Sequence, residues 1–270
     1  AQSGSATVTV NPLPIAGISG STSVCLNGTP PSILFTGALG TAPYTFSYTI
    51  NGGPVQTVTT VAGNSITITA PTGTAGTYTY ALVSVRDASS TTCSQNQSGT
   101  AVIVVNPLPT ASITGNTTVC QNAASPNVTF TGASATAPYT FSYRINGGPI
   151  LTATTVAGNS VTVAAPTAVA GTFVYTLVSV QDGSSTACSQ AQAGTATVVV
   201  NPLPTASISG TTAVCLNAAA PNITFTGATG TAPYTFSYTI NGGPVQTITS
   251  VGNSITLAVP TGTAGTFTYT

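Results

Sequence analysis

The chain repeats itself. Asn11-Pro12-Leu13-Pro14 returns as Asn106-Pro107-Leu108-Pro109 and again as Asn201-Pro202-Leu203-Pro204, at intervals of 95 residues. Cys25, Cys120 and Cys215 keep that spacing, as do Tyr44, Tyr139 and Tyr234. The stretch from Thr41 to Thr57 recurs letter for letter from Thr231 to Thr247. One residue is then lost, where Val251-Gly252-Asn253 stands against Val61-Ala62-Gly63-Asn64. A solenoid unit spans roughly 20–50 residues and leans on its neighbours for a core. A period of 95 is too long for that and suits a domain with a core of its own, copied in tandem.

Within one copy the residues alternate. Tyr44, Phe46, Tyr48 and Ile50 interleave with Thr45, Ser47 and Thr49. A period of two puts the large apolar groups on one face of a strand. Arg144 of the second copy falls on the polar face, as that reading requires. Asn51-Gly52-Gly53 then predicts a tight hairpin turn. Strands are predicted at Ile15 to Ser19, Ser32 to Thr36, Tyr44 to Ile50, Val55 to Thr60, Ser65 to Thr69, Thr77 to Val85 and Ala101 to Val105. The sixth breaks its rhythm, since Tyr78, Tyr80 and Leu82 share one face while Val83 and Val85 share the other. A β-bulge near Leu82 accounts for this; the alternative is a strand covered on both faces. About seven short strands at turn-rich spacing predict an all-β, immunoglobulin-like sandwich of two sheets. The modules are expected at 15–109, 110–204 and 205–270, the last incomplete at its C-terminal end. Residues 1–14 read as the closing strand of a preceding module plus linker. The prolines of each Asn-Pro-Leu-Pro unit fix φ and restrict their predecessors, so the joints are expected to be short and stiff.

Composition narrows function. Only Arg86, Asp87, Arg144 and Asp182 carry charge, and Lys, Glu, His, Met and Trp are absent. Without His there is no imidazole base and no imidazole ligand. Two isolated carboxylates cannot build a calcium cage. No basic patch exists to neutralise phosphates, so no nucleic-acid partner is expected. No apolar run approaches the roughly 20 residues of a membrane helix, so no membrane insertion is expected. An enzyme is not expected, and no cofactor is implied.

The module-ending Ser98 to Pro109 (SGTAVIVVNPLP), the strand Gly76 to Asp87 (GTYTYALVSVRD) and the pair Val24-Cys25 and Cys93-Ser94 carry a resemblance. The chain resembles the tandem Ig-like and PKD-like repeats of large surface adhesins from gliding bacteria with type IX secretion. The resemblance runs the whole chain. It departs at the sixth strand, because PKD-type strands alternate cleanly. It implies a secreted or cell-surface location and a structural role.

Each full module holds two cysteines 68 residues apart, Cys25 with Cys93 and Cys120 with Cys188. If the loops that carry them meet, two intramodule disulfides form, each contributing about 4 kcal/mol by loop entropy. Pairing of Cys93 with Cys120 across the joint and a fully reduced set are the alternatives. Cys215 is expected to pair outside the chain. Disulfides imply an oxidising compartment.

The ends fall out of register with the modules. Ala1 to Val10 matches Ala191 to Val200, and Thr270 matches Thr176. The intervening 177–190 of the second copy has no counterpart in the third. The preferred expectation is a window on a longer array. The other is donation of the leading strand to a neighbouring chain.

Asp87 and Asp182 are expected to hold turns by accepting N–H bonds. Tyr44, Tyr139 and Tyr234, each after a proline, are the candidates for ligand contact with surface glycans. Val102, Val104 and Val199, on the outward side of the closing strand, are the candidates for self-association. Asn27, Asn96, Asn116, Asn127 and Asn222 stand in sequons that a Ser/Thr-rich chain produces easily. The leading function is a stiff spacer or filament-forming stalk of an adhesin, partnered by itself or by continuation of the same array. The alternative is a carbohydrate-binding module array.

Overall fold

A computed structural model describes residues 3–270, and every regular element in them is a β-strand. The first nine are β1 (Ile15–Ser19), β2 (Thr22–Cys25), β3 (Ser32–Ala38), β4 (Thr45–Ile50), β5 (Gln56–Thr59), β6 (Ser65–Thr69), β7 (Gly76–Arg86), β8 (Ser94–Asn96) and β9 (Thr100–Asn106). They form two sheets. One is β1-β3-β6; the other is β2-β9-β7-β4-β5, with β8 paired to β7. Alternation decides which sides meet. Ile33 and Phe35 of β3 pack against Phe46, Tyr48, Tyr80, Ile103 and Val105 of the second sheet, all buried. Phe35 lies 5.6 Å from Phe46 and 5.1 Å from Tyr48, centroid to centroid. The fold is an Ig-like sandwich, as the spacing predicts.

The bulge is where expected. Ser47 pairs with Ser84 and Tyr48 with Leu82, leaving Val83 unmatched. The extra residue returns Val85 to the core side, where it is fully buried. The second module repeats the irregularity at Val178, between the pairs Ser142–Ser179 and Tyr143–Leu177. Asn51 and Gly52 both take positive φ, at 50° and 68°, and the Gly53 N–H donates to the Ile50 carbonyl at 2.9 Å. That is the twisted two-residue turn an Asn-Gly pair favours.

Two strands escape the sequence pattern. β2 and β8 are too short to show a period. β2 matters most: it runs parallel to β9, with Cys25 opposite Asn106.

The second module copies the first with β10 (Thr110–Thr114), β11 (Thr117–Cys120), β12 (Asn127–Ala133), β13 (Thr140–Ile145), β14 (Leu151–Thr154), β15 (Ser160–Ala164), β16 (Gly171–Gln181), β17 (Ser189–Ala191) and β18 (Thr195–Asn201). Its sheets have the same order. The third holds β19 (Thr205–Ser209), β20 (Asn222–Ala228), β21 (Thr235–Tyr238), β22 (Gln246–Thr249) and β23 (Ser254–Ala258). Its first sheet, β19-β20-β23, is intact. Its second is the pair β21-β22, extended by a single bridge from Ile240 to Tyr269. Thr212 to Cys215, the counterpart of β11, forms no strand there. The strand it would pair with is not beside it.

Candidate functional site

The parallel course of β2 carries Cys25 to the end of the sheet where β9 leaves for the Asn-Pro-Leu-Pro joint. Cys93 lies at the other end. It precedes β8, whose Ser94 pairs with Arg86 at the far end of β7, while Gly76 at the near end pairs with Val105. Ten residues of extended strand separate the two, about 30 Å. A disulfide needs Cα atoms within about 7 Å. The predicted Cys25–Cys93 bond is therefore excluded by the strand that sequence reading missed, and Cys120–Cys188 by its copy, β11. Cys93–Cys120 fails as well, since those two stand at the outer ends of consecutive modules.

The bond that forms is Cys25–Cys188, 163 residues apart, with Cα atoms 5.6 Å from each other. It crosses the joint from the trailing end of the first module to the leading end of the second. Around it the polar groups interlock. The Asn106 side-chain amide donates to Thr186 Oγ1 at 2.8 Å. Thr186 Oγ1 lies 3.1 Å from Cys188 Sγ and 3.6 Å from Cys25 Sγ. Ser184 Oγ bonds Thr186 Oγ1 at 3.2 Å and donates to Asp182 Oδ1 at 2.8 Å. The Asp182 N–H donates to the Cys188 carbonyl at 2.9 Å, closing the loop that presents the sulfur.

The same constellation stands at the leading end of the first module. Asn11 donates to Thr91 Oγ1 at 2.9 Å, and Thr91 Oγ1 lies 3.1 Å from Cys93 Sγ. Cys93, Cys120 and Cys215 are free thiols. Asp87 is buried and holds this loop, as expected of a turn-binding acid. Its Oδ2 accepts the Thr41 N–H at 3.1 Å, and its Oδ1 accepts the Ser89 hydroxyl at 2.8 Å and N–H at 3.3 Å. Burial alone would raise its pKa. The donors at Thr41, Ser89 and Cys93 outweigh burial and hold it below the ordinary carboxylate value.

The ligand candidates are inside. Tyr44, Tyr139 and Tyr234 are 1%, 1% and 8% exposed, which corrects the expectation that their loops present them to a glycan. The reason is a close approach: a Cβ at Gly37, Gly132 or Gly227 would sit about 2.5–2.6 Å from the ring of its tyrosine. Each ring lies flat over a bare backbone. The Tyr44 hydroxyl is spent on the Gly40 carbonyl at 2.7 Å. Val102, Val104 and Val199 lie half-buried on the outer side of the closing strands. Arg144 is on the polar face and donates to the Gly148 carbonyl at 2.7 Å.

The joint was legible in one respect only. A cysteine spacing of 163 is as regular as one of 68, and nothing but the path of β2 chooses between them.

Neither a protein-family model nor a curated protein sequence matches the chain. Among solved structures it is similar to the three-Ig titin fragment I67–I69, at 12% identity over 92% of this chain and 88% of that one, with a TM-score of 0.55. A fragment of a 1.5-MDa bacterial ice-binding adhesin aligns at 16% identity over 94% and 89%, with a TM-score of 0.40. FdeC, an adhesin of Escherichia coli, aligns at 14% over 92% and 93%, with a TM-score of 0.35. The titin likeness shows the fold, a row of Ig-like sandwiches.

Proposed function

We propose that this chain is a structural, extracellular repeat region, a stiff spacer or filament-forming stalk of a cell-surface adhesin, and not an enzyme. The observation that carries the reading is the Cys25–Cys188 bond across the joint. Two sandwiches connected only by Asn-Pro-Leu-Pro retain a hinge; a second covalent tie beside the linker removes most of its freedom. Such bonds persist outside the reducing cytosol, which supports a secreted location. The rest of the chain agrees. Its polar inventory is hydroxyls and amides with four charges, so it holds no acid–base pair to do chemistry. The aromatic rings that a glycan-binding array would use lie in the core.

The test is small-angle X-ray scattering of the oxidised chain, then of the chain reduced and alkylated. The oxidised profile should be that of an elongated particle with a narrow distance distribution. Reduction should broaden it while the circular dichroism of the sandwiches stays unchanged. Folded-back modules before reduction, or indifference to reduction, would remove the spacer role.

A further inference from the structure

We infer that the free edge of β5, and of its copies β14 and β22, pairs side by side with the same edge on a second copy of this chain. β5 ends its sheet and pairs with β4 alone among the described residues. Its backbone groups divide by alternation. The Thr60 N–H donates to the Tyr44 carbonyl at 2.9 Å, so the groups of Val58 and Gln56 turn toward β4 and those of Thr57 and Thr59 turn outward. Thr155 and Ser250 make the same bond to Tyr139 and Tyr234. Thr152 and Thr154 therefore stand outward in the second module, and Thr247 and Thr249 in the third. The edge belongs to every copy of the repeat.

An open edge takes a strand as its partner. Elsewhere the chain covers such donors with its own side chains. β1 ends the other sheet, and its Ala16 N–H donates to Gln97 Oε1 at 3.3 Å; Ala111 and Gln192 repeat this in the second module. Nor does β5 carry the devices that keep edges apart. No residue from Val55 to Val61 is charged or a proline, and the pairing with β4 runs without a register shift. Exposed aliphatic residues flank the strand instead. Val55 and Val61 are 59% and 95% exposed, and Ile150 and Val156 take their places beside β14, also exposed.

The sequence names the occupant, because it reads alike in both directions. Val55-x-Thr57-Val58-Thr59-x-Val61 becomes Ile150-x-Thr152-Ala153-Thr154-x-Val156, then Val245-x-Thr247-Ile248-Thr249-x-Val251. A palindrome suits an antiparallel partner of the same sequence, related by a two-fold axis. With that axis at Val58, Thr57 stands opposite the partner's Thr59, and Thr59 opposite the partner's Thr57, as hydrogen-bonded pairs. The two copies of Val58 form the pair between them, and Val55 comes against the partner's Val61. On the outer face the Thr45 and Thr59 hydroxyls already lie 3.0 Å apart, as do Thr140 with Thr154 and Thr235 with Thr249. The partner's Thr57 extends that row by one more threonine pair, the kind of cross-strand contact that stabilises a sheet. Charge adds no preference for a foreign strand, since the edge has none.

A four-residue edge binds weakly, so association belongs to high concentration, and several edges per chain let it grow beyond a pair. The experiment follows the mass of the 270-residue chain, its free thiols alkylated, by light scattering and sedimentation against concentration. Association is expected, with hydrogen exchange at 55–61, 150–156 and 245–251 slowed about tenfold relative to the dilute chain. Thr57→Pro, Thr152→Pro and Thr247→Pro together remove outward N–H groups that no module uses for itself. They should weaken association by about tenfold or more and leave the circular dichroism unchanged. Thr57→Lys, Thr152→Lys and Thr247→Lys should do the same by charging the edge, and serve if proline costs stability. A chain that stays monomeric at every concentration, association indifferent to both sets, or protection that falls on β6 or on 265–270 instead would each overturn the inference. The spacer role is tested separately, since it rests on the joint inside one chain and is read from scattering before and after reduction.

Discussion

The tyrosine after each of the cis prolines Pro43, Pro138 and Pro233 shows how one residue type is set by its neighbour across the sheet. Tyr139 lies over Gly132 with its ring carbons about 2.5 Å from where a Cβ would be. The residue is held from other sides too, its backbone N–H donating to Thr155 Oγ1 at 2.9 Å and its ring stacked 6.4 Å from Phe141. It cannot retreat without breaking those contacts. Gly132→Ala should therefore destabilise the second module by about 1–3 kcal/mol, the usual cost of overpacking. Denaturant unfolding should show that module's transition moving to lower concentration. An unchanged midpoint would mean the ring shifts freely.

At the scale of elements, the sixth strand of each module uses its bulge to change which side it shows. Val83 is the surplus residue: in a regular strand that kept it, Ser84 would face the core and Val85 would turn out. Deleting Val83 leaves Tyr80, Leu82 and Val85 alternating inward without a bulge, so it should cost the first module less than the about 2 kcal/mol of exposing a buried Val, read from its unfolding. A deletion that costs as much as exposing Val85 would refute Val83 as the surplus residue. This element was readable because eleven residues are long enough to show a rhythm and its failure. The hairpin at Asn51-Gly52 was readable because few pairs accept two positive φ values in a row. β2 was not. Four residues, Thr22 to Cys25, hold too little pattern to tell strand from loop, and their partner β9 is some 80 positions away. The missed strand misplaced Cys25 by a full sheet length, so the fold was legible and the pairing that defines the joint was not.

The molecule as a whole has almost nothing to titrate, and this gives it a distinctive response to pH. At the acid end, Asp87 has its folded pKa depressed by donated hydrogen bonds. Its contribution is present above the ordinary carboxylate value near 3.9 and is lost as pH falls through the folded value. At the alkaline end, burial raises Tyr48, Tyr80, Tyr143, Tyr175 and Tyr269. An unfolded tyrosine ionises near pH 10, while these folded ones keep their protons. Above pH 10 the unfolded chain thus binds fewer protons than the folded one, and stability falls as pH climbs toward the folded values. Between the two limits there is no His, Lys or Glu to change state. Melting temperature should therefore be level from about pH 5 to about pH 8, drop below about pH 4 as Asp87 takes up its proton, and drop more steeply above about pH 10 as these buried tyrosines ionise together. Ultraviolet titration of tyrosinate alongside the melts checks the cause, because ionisation of the buried rings should coincide with unfolding and not precede it. Salt should change little across the level range, since four charges leave no network to screen.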